Sequence, residues 1–340
     1  MFDFSYSRVP HVAWLFLAIL LMLAPASFAV RTHAQSSSTR QAGSNKATTG
    51  TDDIGSLLTQ AVAHLKSGNL QDAEPLVRRV IKKAPGNADA HNLLGTILDQ
   101  RGQTAAAEQE FREAMRLNPR SITSRANLGV LLARTGRSNE AIQSLESVLR
   151  DAPQHPQATF NLGVLYASRG EHQKAIPLLE RANELRPQSF EVLYALGDAL
   201  SQVRRFDEAI AALTEASTLN ATAAEPLYKL GMIASARDQS EAAIDFWQRA
   251  ISLRSDFAEA NFMIGEELRK HRNYQGASEF YERALAQDPA KVAYHVRLGG
   301  TYLLLTQLDK ALTIFQNAVL RFPKLPEAHY FVGIAARGRG

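Results

Sequence analysis

The stretch ATFNLGVLYASRGEHQKAIPLLERANELRP, residues 158–187, decides the fold of this chain. Its Gly163 and Ala175 each recur 34 residues earlier and 34 residues later, and its final Pro187 follows Pro153 by the same distance. Self-similarity at a fixed period of this length is the signature of short repeated units. The sequence therefore predicts an elongated stack rather than a single large core.

The period holds from Ile54 onward without a slip, and two positions of the unit carry small residues. The glycine position holds Ala61, Gly95, Gly129, Gly163, Gly197, Gly231, Gly265, Gly299 and Gly333. The alanine position holds Ala73, Ala107, Ala141, Ala175, Ala209, Ala243, Ala277 and Ala311. Glycine inside a helix costs about 1 kcal/mol against alanine, so we expect another backbone to pass close to these positions. A third position, beside this crossing, holds large residues: Phe111, Leu145, Leu179, Leu213, Trp247, Tyr281 and Phe315.

Each unit is predicted to be a pair of antiparallel helices. In residues 88–121, leucines at helical spacing are followed by Gly102, which interrupts the pattern. Phe111 then marks a second helix, and Pro119 ends it.

These residues resemble the tetratricopeptide repeat, whose pattern W-x₂-L-G-x₂-Y…A-x₃-F…P has the same period. The resemblance covers Ile54 to Leu325 and implies an all-α fold, a right-handed α-solenoid (superhelix) of eight helix pairs plus a terminal helix. The predicted units are 54–87, 88–121, 122–155, 156–189, 190–223, 224–257, 258–291 and 292–325. Residues 326–340 are predicted to be a capping helix or the start of a ninth unit.

Two departures from the pattern lead to specific expectations. Units five and six end in Ala221 and Ser255 instead of proline, so their second helices are expected to run on slightly. Pro75 and Pro177 fall early in second helices, where a missing N–H is expected to be tolerated.

An N-terminal signal peptide or membrane anchor is predicted in residues 1–34. Val12 to Ala29 carries no charge, and Ser27 and Ala29 satisfy the small-x-small rule of signal-peptide cleavage. The same segment would span about 27 Å as a helix, so an uncleaved anchor in the inner membrane is the alternative. Both interpretations place the folded part outside the cytoplasm, as a periplasmic, secreted or membrane-anchored protein. Residues 35–53, rich in Ser, Thr and Gly, are predicted to form a flexible linker.

Composition argues against several functional classes. The net charge is only +4, from 38 basic and 34 acidic residues, so nucleic acid is not an expected partner. The absence of cysteine excludes disulfides and thiolate metal sites, and no metal or other cofactor is predicted. Contact with a membrane is expected only through an uncleaved N-terminal segment.

No catalytic residue is predicted. The chain has no HExxH metal motif, no GxxxxGK[ST] phosphate loop and no GxSxG nucleophile turn. His91, His295 and His329 share one repeat position, and we interpret them as surface or inter-repeat residues rather than metal ligands.

The resemblance also implies a binding groove, because the first helices of tetratricopeptide repeats line the concave face where peptides bind. We define the candidate groove by residues near the glycine position of each unit: Asn92, Asn127, Phe160, Asn161, Tyr194, Asp198, Tyr228, Lys229, Phe262, Glu266 and Arg297. Aromatic rings offer contact area at low entropy cost, and amides can pair with a peptide backbone. The alternative is that the aromatic residues form the wall between neighbouring helices.

Five acidic residues near this groove predict a partner segment that carries Lys or Arg. They are Glu191, Asp198, Glu225, Glu259 and Glu266.

The function predicted from the sequence is a non-catalytic scaffold that binds a protein or peptide partner. Two alternatives stay open: the chain is the repeat portion of a larger enzyme, such as a glycosyltransferase, or it is an envelope component that associates with itself.

Overall fold

A computed structural model describes residues 53–324 and 326–338 of the chain. The predicted signal peptide or anchor, residues 1–34, lies outside the described residues, as does the predicted linker 35–53 except for Asp53. The regular elements in the described ranges are all α-helices. No helix in these ranges is long and apolar enough to cross a membrane. The prediction of an all-α solenoid is confirmed.

The described residues divide into two compact units, with the division after Leu185. The first unit consists of four helix pairs: α1 (Ile54–Lys66) with α2 (Leu70–Lys83), α3 (Ala88–Gln100) with α4 (Thr104–Leu117), α5 (Ile122–Arg134) with α6 (Ser138–Asp151), and α7 (Pro156–Ser168) with α8 (His172–Leu185). Its core is built from the apolar faces of these helices, including Leu57, Leu94, Leu131 and Leu145.

The second unit continues the same pairing and ends on a single helix. Its elements are α9 (Phe190–Gln202) with α10 (Phe206–Leu219), α11 (Glu225–Ala236) with α12 (Ser240–Leu253), α13 (Ala258–Lys270) with α14 (Tyr274–Gln287), α15 (Val292–Leu304) with α16 (Leu308–Arg321), and α17 (Pro326–Gly338). Large aromatic side chains occupy its interior, and Trp247, Tyr281 and Phe315 are fully buried.

The glycine position faces the large residue of the second helix in the same pair. A Cβ on Gly95 would lie 2.7 Å from the ring of Phe111 and 3.2 Å from the carbonyl oxygen of Ala107. The same relationship joins Gly129 to Leu145. The expected close backbone is present at Gly95, but the large side chain of the second helix lies nearer still, because it packs directly onto the glycine.

The turn inside each helix pair contains one residue in the left-handed region. In the first unit this residue is always glycine: Gly68, Gly102, Gly136 and Gly170. In the second unit non-glycine residues adopt the same conformation: Arg204, Asp238, Arg272 and Thr306, with φ of 63°, 58°, 60° and 56°. A side chain at such a φ raises the energy of the backbone, most of all for a β-branched residue such as threonine.

The first departure from the repeat pattern behaves differently from expectation. Helices α10 and α12 end at Leu219 and Leu253, two residues before the missing prolines, as in the other pairs. The next residues, Asn220 and Arg254, have ψ of 87° and 97°, which ends a helix without proline. The helices therefore do not run on.

Pro75 and Pro177 are tolerated as expected, but for a different reason. Each is the sixth residue of its helix, beyond the first turn where N–H groups lack helical partners. Both prolines are solvent-exposed, so water can bond the carbonyl groups that they leave unpaired.

The three histidines at one repeat position have a structural role. Nε2 of His91, His295 and His329 lies 3.0, 3.0 and 2.9 Å from the carbonyl oxygens of Pro85, Pro289 and Pro323, respectively. Because a carbonyl can only accept, each ring donates its Nε2–H there. The histidines thus tie the start of a first helix to the end of the preceding unit, which agrees with an inter-repeat role.

Candidate functional site

In the first unit, three of the four candidate groove residues are buried. Asn92, Phe160 and Asn161 are 4%, 3% and 4% exposed, so little of their side chains reaches the surface. Asn127 is half-buried and donates Nδ2–H to Asn92 Oδ1 at 3.1 Å. These amides connect α3 to α5, and the sequence could not separate this use from ligand binding.

In the second unit, the candidate groove residues are half-buried. Tyr194, Tyr228 and Phe262 occupy equivalent positions on α9, α11 and α13, three successive first helices. We call the surface that these residues share with Asp198, Lys229, Glu266 and Arg297 the first-helix surface. This surface consists of aromatic rings and of charged side chains that lie between the rings.

Three aromatic residues that the sequence did not indicate pack against the rings of this surface; Phe257 and Tyr294 are buried, and Phe190 is half-buried. Phe190 stacks on Tyr194 with ring centroids 6.1 Å apart. The ring of Phe257 lies 4.9 Å from that of Tyr228, and the ring of Tyr294 lies 4.8 Å from that of Phe262. Phe190, Phe257 and Tyr294 do not share one position of the 34-residue unit, so comparison between units could not reveal them.

The charged residues of the surface form ion pairs between successive units. Lys229 Nζ lies 2.5 Å from Asp198 Oδ1, an ion contact that joins α11 to α9. Arg297 Nε lies 2.9 Å from Glu266 Oε1 and joins α15 to α13. Glu266 also accepts from the hydroxyl of Tyr281. The carboxylates at the first-helix surface are therefore already paired with cations.

Arg254 is a further residue that the sequence did not indicate. Its Nη1 donates to Glu225 Oε1 at 2.7 Å, and its guanidinium lies 3.5 Å from the ring centroid of Phe257. Only the structure shows that Arg254, which directly follows α12, reaches the first helix of its own pair. It holds Glu225 and the Tyr228–Phe257 ring pair in one cluster.

The hydroxyls of Tyr194 and Tyr294 stay protonated. Burial raises the pKa of Tyr194, and the nearby carboxylate of Asp198 raises it further. Burial likewise raises the pKa of Tyr294, with a contribution from Glu259. Both phenols are therefore neutral hydrogen-bond groups throughout the physiological range.

Trp247 links this surface to the core. Its Nε1–H donates to the carbonyl oxygen of Tyr228 at 3.1 Å, and its ring is fully buried. Because Gly231 faces the same indole, the position of Tyr228 depends on the packing of α11 against α12.

A serine and a histidine meet elsewhere in the second unit without forming a catalytic triad. Ser240 Oγ lies 2.7 Å from His271 Nε2, and the buried Glu267 accepts directly from the Ser240 hydroxyl. In a triad the carboxylate would instead orient the other ring nitrogen of the histidine. Glu267 also accepts from Ser235 Oγ at 2.7 Å, so the cluster joins two neighbouring units.

Metal ligands are not assembled in residues 53–324 and 326–338, because no three His, Asp or Glu side chains are grouped there to hold an ion.

Two family models match the sequence, and both are described as tetratricopeptide repeat. One matches residues 58–122 and 127–190, and the other matches residues 166–230 and 268–333. Together they cover most of the chain. A comparison with curated protein sequences finds no match.

Solved structures share the fold. A chain of the APC/C hetero-tetramer Cut9–Hcn1 is 19% identical with a TM-score of 0.55; the match covers 82% of this chain and 55% of that one. PilF of Pseudomonas aeruginosa is 20% identical with a TM-score of 0.54, covering 59% of this chain and 92% of its own. YrrB, a TPR protein with an unusual peptide-binding site, is 20% identical with a TM-score of 0.50, covering 54% of this chain and 95% of its own.

The chain spans only about half the length of the matched chain in the Cut9–Hcn1 structure. At these identities the likeness concerns the fold alone. Tetratricopeptide repeats are scaffolds suited to protein–protein interaction and generally lack catalytic activity. The repeat period, the helix pairs and the matching family models together show that this chain belongs to the tetratricopeptide repeat family.

Proposed function

We propose that this protein is a non-catalytic scaffold that binds a peptide segment of another protein on the first-helix surface of its second unit. One observation carries the proposal: Tyr194, Tyr228 and Phe262 are half-buried at equivalent positions of three successive first helices. Aromatic residues that are half-buried on a folded surface can contribute large contact areas at low entropy cost.

The spacing of the surface also suits a peptide. Residues at equivalent positions of stacked units form a row, and an extended segment can place successive side chains along such a row. The peptide-binding site named for YrrB supports this use of the fold. In the first unit the burial of Asn92, Phe160 and Asn161 leaves much less side-chain surface for a ligand.

Retention of partners from the producing organism tests this function. The full chain is coupled to beads, and proteins retained from an extract are identified by mass spectrometry. The variant Tyr194→Ala/Tyr228→Ala removes two rings from the first-helix surface. The matched control Phe246→Ala/Phe280→Ala removes two half-buried rings from the second helices α12 and α14.

We expect a defined protein to be retained by the parent and by the control, and to be lost from the tyrosine variant. Equal retention by both variants would overturn the proposed site. Retention of nothing except further copies of this chain would favour self-association over the scaffold function.

We also propose that the protein acts outside the cytoplasm. The uncharged segment Val12 to Ala29, with small residues at Ser27 and Ala29, supports export. Fractionation of the producing cells with determination of the N-terminal residue tests this. A mature chain that begins after Ala29, or an intact chain in the membrane fraction, would agree with export or anchoring. An intact chain in the cytosol would contradict both.

A further inference from the structure

We infer that the segment recognised by the first-helix surface has little net charge and presents aromatic or aliphatic side chains. The inference rests on the proposed function and concerns the chemistry of the partner. It replaces the expectation, drawn from the acidic residues in the sequence, that the partner carries Lys or Arg.

The Asp198–Lys229 pair is the first reason. The two side chains are 24% and 12% exposed, and their charged atoms are 2.5 Å apart. Both ions are mostly removed from water, and each provides the nearest compensation for the other. A lysine of a partner that approached Asp198 would have to compete with Lys229, which is already in place.

The other carboxylates show the same arrangement. Glu225 accepts from Arg254 at 2.7 Å, and Glu266 contacts Arg297 at 2.9 Å and Arg269 at 3.3 Å. Thus three of the five acidic residues that suggested a basic partner are paired within the second unit. If a cation of the partner replaced an internal cation, the number of ion pairs would stay the same. The partner's cation would also have to lose its water, which opposes binding.

The aromatic residues are the groups that such a surface leaves for recognition. Tyr194, Tyr228 and Phe262 are half-buried, and Phe257 and Tyr294 support the latter two from behind with ring separations below 5 Å. The apolar area that is still exposed on these rings favours a ligand with apolar side chains. The affinity gained by burying this area depends little on salt. The ion pairs then keep the helices in register and contribute little to the choice of partner.

Selection from peptide libraries tests the inference. Short random peptides are presented to the full chain in three sets of equal length: one neutral and rich in aromatic and aliphatic residues, one rich in Lys and Arg, one rich in Asp and Glu. Selected peptides are synthesised with a fluorescent label, and their dissociation constants are measured by anisotropy at low and at high salt. Circular dichroism confirms that each variant remains helical.

We expect selection of the neutral set, with affinities that change less than about twofold between the two salt concentrations. Tyr228→Ala should weaken binding about tenfold or more, while Phe246→Ala should leave it unchanged. Selection of the basic set with strongly salt-dependent affinity would overturn the inference but retain the peptide-binding function. Binding by none of the sets would count against the proposed function itself.

A charge variant provides the reciprocal test. Lys229→Met removes the cation and leaves Asp198 without its ion-pair partner. This variant should acquire a preference of about fivefold for peptides of the basic set, and high salt should abolish that preference. If Lys229→Met and the parent select the same peptides, the ion pair does not set the charge preference and the inference is wrong.

Discussion

Gly231 lies directly against the indole of Trp247, so that a Cβ on residue 231 would come within 2.5 Å of the indole Nε1. The same nitrogen donates to the carbonyl oxygen of Tyr228 at 3.1 Å. One pair of residues therefore joins the packing of α11 and α12 to the position of a residue on the proposed binding surface.

We predict that Gly231→Ala destabilises the protein by about 2 kcal/mol, because the new methyl group has to displace a fully buried ring. Chemical unfolding followed by the fluorescence of Trp247 measures this. The measurement uses a Trp14→Phe background, which leaves Trp247 as the sole tryptophan of the chain.

Gly300→Ala is the matched control. Gly300 lies in α15, and a Cβ there would have no neighbour within 4 Å. Replacement should be neutral or should stabilise the helix by up to about 1 kcal/mol. Similar losses from both substitutions would show that the contact with Trp247 does not explain the glycine.

Thr306→Gly is predicted to raise the free energy of unfolding by about 1 kcal/mol. Thr306 has a φ of 56°, and relief of this β-branched strain exceeds the entropy cost of glycine in the unfolded chain. The reverse change in the first unit, Gly170→Thr, should destabilise the protein. Because a Cβ at residue 170 would have no neighbour within 4 Å, the loss would come from the backbone φ of 77° alone. Urea titrations of both variants check the pair, and a loss of stability in Thr306→Gly would contradict the assigned conformation.

Glu267→Gln is predicted to cost about 2 kcal/mol at neutral pH, because the buried carboxylate accepts from Ser235 and Ser240. Burial acts to raise the pKa of Glu267, but the two hydroxyls and Lys270 outweigh it and hold the pKa below its ordinary value of 4.5. The stabilisation by the charged form is therefore complete above that value and is lost as the pH falls through the lower pKa of the folded state.

The difference in stability between parent and Glu267→Gln should accordingly shrink as the pH falls below 4.5. Thermal unfolding of both chains across this range provides the measurement. The exposed Glu241→Gln on α12 serves as the control and should match the parent at each pH. If the difference in stability between the parent and Glu267→Gln stayed constant down to the lowest pH, the charge on Glu267 would not be the cause of that difference.

The repeat made most of the fold predictable. Glycine, alanine and large residues recur at the period of 34, and each part of that pattern corresponds to one contact, such as Gly95 with Phe111. The proline positions predicted the ends of the helices less well. The absence of proline at Ala221 did not lengthen α10, because the backbone at Asn220 ends the helix. The period also gives no sign of the division after Leu185, nor of the left-handed backbone at Arg204 and Thr306.

The places of the candidate residues on the first helices were predictable, but the accessibility of their side chains was not. Phe160 and Tyr194 hold the same place in successive units, yet Phe160 is buried and Tyr194 is half-buried. Burial depends on the size of neighbouring side chains, which a pattern of small and large residues does not specify. The pairing of Asp198 with Lys229 also depends on the stacking of units, and it is the reason that we infer a partner segment of little net charge instead of a basic one.

The central claim, that the first-helix surface of the second unit binds a peptide segment, is tested most directly by photo-crosslinking in the producing cell. Benzoylphenylalanine is placed at Tyr228 in one chain and at Phe246 in another, and the adducts are mapped by mass spectrometry. We expect residue 228 to crosslink to one continuous segment of a second protein, and residue 246 to yield no such adduct. The same adducts from both positions, or adducts from residue 246 alone, would contradict the claim.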